Sequence, residues 1–73
     1  MENPQKNRQQ SELDNALRAW ILVRARAING QLLARLAAVS DDLDAGHHLA
    51  ALGGLEGCER DVNAIRSFLL LIP

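Results

Sequence analysis

The residues of this 73-residue chain whose types could do chemistry are two histidines, one cysteine, three serines and a group of arginines. His47 and His48 adjoin Asp41, Asp42 and Asp44. On a continuous helix, Asp44 and His48 are four apart and share a face, which is half of a metal site. Zinc needs three or four ligands at recognisable spacing, and neither HExxH nor CxxC is present. The histidines therefore read as helix-boundary residues, and no metal or cofactor is expected. Cys58 is a nucleophile only if a base stands near it. Both histidines are about ten residues away, some 15 Å along one helix. A lone cysteine on an apolar stripe is core by preference. Ser11 and Ser40 look like helix caps, and Ser67 lies near the chain end. There is no GxSxG, and Gly53-Gly54-Leu55-Glu56-Gly57 has neither the preceding strand nor the following lysine of a phosphate loop. The chain is expected not to be an enzyme.

The arginines offer a second chemistry. Arg18 and Arg26 are eight apart and roughly share a helix face, and Lys6 and Arg8 add positive charge. Such a set could contact RNA or DNA. Eight basic residues against nine acidic give a net charge of −1, far from the strongly basic balance of most nucleic-acid binders. Arginines balancing an acidic second half is the plainer reading.

Any such residue must be positioned by helices. Leu and Ala supply most of a 48% apolar content, with one Phe, one Trp and no Tyr. That composition disfavours sheet and favours helix. Residues 1–10 carry no apolar residue after Met1 and read as a mobile polar tail ahead of a single domain at 11–73. Ser11 with Glu12 and Asp14 resembles a capped helix start. A stripe at helical spacing then runs through Leu17, Ile21, Ala25, Ile28, Leu32, Leu36 and Val39. Ser40-Asp41-Asp42 is the expected turn. A second stripe follows through Leu55, Cys58, Val62, Ile65, Leu69 and Ile72. The spacing predicts two helices near 12–39 and 43–71.

Four glycines interrupt the second segment. They could break it at Gly53-Gly54 into a third helix, or make Gly46 the cap of the first. A continuous but kinked second helix is preferred, because Gly46, Ala50, Gly53 or Gly54, and Gly57 form a smooth strip for a close neighbour. Folding at Ser40 makes an antiparallel hairpin. It sets Leu17 near Ile65, Ile21 near Val62, Ala25 near Cys58 and Ile28 near Leu55. Arg24 and Arg26 then oppose Glu56 and Glu59, and Arg35 lies near Asp44.

In outline the chain resembles the Rop family of plasmid RNA-binding regulators, which are also short helical hairpins that dimerise. The resemblance is one of architecture, and it implies no residue roles.

Two segments are apolar on every side, Trp20 to Val23 and Phe68 to Ile72. A helix apolar all round is usually buried all round, and so short a chain struggles to cover both. A homodimer forming a four-helix bundle resolves this, with Leu13, Trp20, Leu22, Val23, Phe68, Leu70, Leu71 and Ile72 as its interface or as a partner's. The lone cysteine and the lack of an apolar leader suit the cytoplasm, and no run is long enough to span a membrane. The expected function is a small interaction protein that binds and modulates or inhibits a larger macromolecule. A modulator of the kind phages or mobile elements encode fits this outline. The alternative is a nucleic-acid-binding dimer using Arg18 and Arg26.

Overall fold

The structure is a computed structural model that describes residues 4–73, with side chains described from residue 8. Helix α1 spans Pro4–Asp44 and helix α2 spans His48–Leu69. The two pack against each other as an all-α hairpin, and no strand occurs among the described residues. The Cα trace extends 66 Å along the rod against 14 and 9 Å across.

The expected helix start at Ser11 is corrected to Pro4. Residues 1–3 of the expected tail lie outside the described residues. Proline suits a first helical turn, where its missing N–H would be unpaired anyway. Gln, Lys and Arg after it are good helix formers. Gln10 Nε2 also donates to Asp14 Oδ1 at 3.2 Å, one turn on. Ser11 is therefore interior to the helix and caps nothing.

The expected turn at Ser40 is also corrected. Ser40, Asp41 and Asp42 stay helical, and the chain reverses at Ala45, Gly46 and His47. Ser and Asp cost a helix interior only about half a kcal/mol each, too little to end one. What ends α1 is Gly46, at φ +77°. There its N–H donates to Leu43 O at 3.1 Å, and His47 N–H donates to Asp42 O at 2.7 Å. These are the two bonds of a Schellman motif, which needs a left-handed residue and so favours glycine.

The later turn slides α2 along α1 by more than two helical turns, so the expected facing pairs all change. A Cβ placed on Gly54 would lie 2.6 Å from Val39 Cγ2, and one on Gly57 would lie 2.6 Å from Arg35 Nη1. Gly54 and Gly57 thus sit directly under α1. Of the smooth strip expected on α2, Gly54 and Gly57 lie where the helices approach, against Val39 and Arg35, while Ala50 is exposed and a Cβ on Gly53 would meet nothing. Helix α2 runs unbroken through Gly53 and Gly54.

The first stripe holds in large part. Ile21, Ala25 and Val39 are buried, and Ile28 and Leu32 are half-buried. The seam then passes through Arg35 rather than Leu36, which is exposed. On α2 the seam is Ala51, Gly54, Cys58, Asp61, Ile65, Phe68 and Ile72, in alternating steps of three and four. Leu55, Val62 and Leu69, expected on it, stand one residue off and are exposed. Glycine lets the backbones close, and a charged residue takes a place an aliphatic one was expected to fill.

Candidate functional site

The charged seam residue is Asp61, at 8% relative exposure. Its Oδ2 lies 2.9 Å from Arg35 Nε. The same oxygen accepts no hydrogen bond, so the two meet as charges without an aligned N–H. The Arg35 side chain crosses α2 over Gly57, where any Cβ would displace it. Arg35 thus pairs with Asp61 and not with Asp44. No ion pair between Arg24 or Arg26 and Glu56 or Glu59 occurs among the described residues.

The residues that could do chemistry are dispersed. A turn separates Asp44 from His48, so they do not share a helix face as expected. His47 is the N-cap of α2, and its side chain makes no capping bond. Among the described residues, no three His, Cys, Asp or Glu side chains are grouped to hold a metal ion. Cys58 is free and buried in the seam. Ser40 is interior to α1, and Ser67 Oγ donates to Asn63 O at 2.9 Å. Arg18 and Arg26 are exposed. Arg18 also borders a shallow recess of about 120 Å3 with Asp14, Asn15, Ile72 and Pro73.

What the fold concentrates is apolar surface. Five apolar residues are buried among those described: Ile21, Ala25, Val39, Ala51 and Cys58. Fifteen large apolar side chains are exposed. A single seam between two helices has no other outcome, because each helix turns most of its circumference to water. The two apolar runs do meet at the open end. Trp20 and Phe68 pack edge to face, with centroids 6.0 Å apart and planes at 72°. Trp20 is nonetheless 53% exposed, and Leu13, Val23, Leu70 and Leu71 around it are exposed too. Phe68 and Ile72 are half-buried. So Phe68 spends much of its surface inside the hairpin, and Trp20 carries the open side of the pair.

Sequence reasoning missed a second group. Leu36, Leu43, Leu55, Val62 and Leu69 are exposed along the length of the hairpin, continuing from Leu22. Four of them, Leu36, Leu55, Val62 and Leu69, were expected in the seam, because an apolar count passes over Arg35, Gly54 and Asp61 for the aliphatic residue beside each. The signal available was that α2 carries two apolar stripes side by side, where one seam needs one.

No helix among the described residues is long and apolar enough to cross a membrane. Comparison with protein-family models, with curated proteins and with solved structures gives no match.

Proposed function

We propose that this hairpin is a non-enzymatic interaction protein that acts as a homodimer, binding and modulating a larger macromolecular partner. One observation carries the reading: fifteen large apolar side chains exposed against five apolar residues buried. So much exposed apolar surface on so short a chain marks an interface. Two hairpins packed as a four-helix bundle cover one part of it. The rest, around Trp20, is left for a protein surface, since large aromatics supply much of the energy of such contacts.

Light scattering after size exclusion tests the first half, with a mass near twice 8.0 kDa expected at micromolar concentration. Capture of a partner from the native host, repeated with Trp20→Ala, tests the second. Partner binding through this surface is nearly indifferent to salt. A complex that weakens steeply as salt rises, and that contains nucleic acid, would instead assign the work to Arg18 and Arg26.

A further inference from the structure

We propose that a second copy of this chain packs face to face on the leucine side of the hairpin, antiparallel, about a two-fold axis passing by Asn29 and Val62. The proposal rests on the dimer reading above and specifies its geometry.

The two sides of the hairpin differ. In an antiparallel pair, reversing the chain direction and reversing the facing direction cancel, so the residue after each seam position lies on the same side of both helices. On α1 the ones nearest the middle of that side are Leu22, Asn29, Leu36 and Leu43, after Ile21, Ile28, Arg35 and Asp42, with Arg26, Leu33 and Ser40 farther round the helix. On α2 they are Leu55, Val62 and Leu69, after Gly54, Asp61 and Phe68, with Leu52, Glu59 and Arg66 farther round. The seven nearest the middle are all exposed. The residues before the seam lie on the other side, and through the middle of the rod most are small, namely Ala27, Ala34, Ala38, Ala50, Gly53 and Ala64, with Gln31 and Arg60 the long polar ones among them. One side is rich in leucine along its length, and the other is mostly small residues through its middle, with Trp20 and Leu71 at its open end.

The leucine side has the symmetry of a surface that meets itself. Asn29 is midway between Leu22 and Leu36, and Val62 is midway between Leu55 and Leu69. The two midpoints are at the same height on the rod to within about one helical turn. Counting from Val39 over Gly54 sets Asn29 level with Ala64, and counting from Trp20 against Phe68 sets it level with Glu59. Val62 lies between those bounds. A single axis therefore serves both helices. Rotation about it puts Leu22 on Leu36 of the second copy, Leu55 on Leu69, and Val62 and Asn29 each on its own counterpart. A central Asn pair is a known means of fixing register in helical interfaces.

Charge complementarity agrees. Glu59 and Arg66 follow seam residues Cys58 and Ile65, so both border this side. They flank Val62 at three and four residues, and the rotation sets each Glu59 beside Arg66 of the other copy. The competing arrangement, with α1 stacked on α2 of the second copy, sets Arg26 beside Arg66, and like charges there disfavour it. The area also suffices. The paired length of α2 is about 33 Å and the hairpin is about 20 Å wide, a footprint of about 650 Å2. Stable interfaces cover about 800 Å2 of each partner, the same scale.

Cysteine cross-linking in the full chain tests the axis. In a Cys58→Ala background, Val62→Cys should form a disulfide-linked dimer under mild oxidation. Leu55→Cys alone should not, because its two copies are about 21 Å apart along the rod. A mixture of the Leu55→Cys and Leu69→Cys chains should cross-link. A dimer by light scattering that links through Ala34→Cys and not Val62→Cys overturns this geometry and leaves the dimer reading standing; a monomer overturns both. Charge exchange at two exposed positions gives a second measure. Glu59→Arg or Arg66→Glu alone should weaken dimerisation about tenfold, and the double exchange should restore it. Additive losses in the double exchange overturn the proposed facing.

Discussion

Arg35 Nε and Asp61 Oδ2 lie 2.9 Å apart across the seam of the hairpin, at positions on both helices where an apolar residue would be the ordinary choice. The two ends of the pair are unequal, since Asp61 is nearly buried while half of the Arg35 side chain remains in water. Arg35→Ala strands a buried carboxylate and should cost about 2–3 kcal/mol, below the full value for a wholly buried pair. The double variant Arg35→Leu, Asp61→Leu should unfold within about 1 kcal/mol of the parent, because an apolar pair of similar volume can replace a buried ion pair. Denaturant unfolding of the four chains at one fixed concentration measures the coupling.

Two adjacent glycines should respond with opposite sign. A Cβ on Gly53 meets nothing within 4 Å, so Gly53→Ala should stabilise by about 1 kcal/mol through helix propensity. A Cβ on Gly54 meets Val39 at 2.6 Å, so Gly54→Ala should destabilise despite the same propensity gain. Thermal melts of the two single variants decide the matter.

The turn offers a similar contrast. Gly46→Ala forces a side chain onto φ +77° and should cost about 1 kcal/mol. His47 caps α2 without a side-chain bond, so His47→Asp should add about 1 kcal/mol. Loss of stability in His47→Asp would mean that the histidine ring makes a contact of its own in the assembled protein.

Cys58 should be slow to react. It is buried in the seam, and a thiol reagent reaches it only when the helices part. Its rate with an aromatic disulfide should fall well below that of a free thiol in native buffer and recover fully in denaturant.

Trp20→Ala should separate the two proposed interfaces. Trp20 precedes seam residue Ile21 and so lies on the side away from the leucine surface. The variant should keep its dimer and lose partner binding by about 2 kcal/mol or more. Tryptophan emission in the parent reports on the same event, since Trp20 is half open to water in the free hairpin.

The α1 seam was legible in the sequence from Ile21 to Leu32 because its apolar residues keep helical spacing without a break. It ceased to be legible at Arg35, where packing uses the stem of a charged side chain over Gly57. On α2 the same rule misplaced Leu55, Val62 and Leu69. Apolar spacing records which residues share a face and not which face the neighbour takes. That choice belonged to Gly54 and Gly57, which allow close approach, and to Asp61, which has a partner only across the seam. The turn was misplaced because three residues that favour turns, Ser40 to Asp42, each weigh less than one glycine able to take a positive φ. The two apolar runs share the open end in either register, but only the observed one sets Trp20 against Phe68.

Gly46 also sets an order of events in time. One cross-helix approach near it, Val39 with Gly54, closes a loop of about fifteen residues, which a chain samples in well under a microsecond. Each later contact lengthens an existing pairing by one turn, so the hairpin should zip from Gly46 toward Trp20 and Phe68. The same sequence in reverse should make that aromatic pair the first to part, so hydrogen exchange should be fastest at the end of the rod proposed to meet a partner.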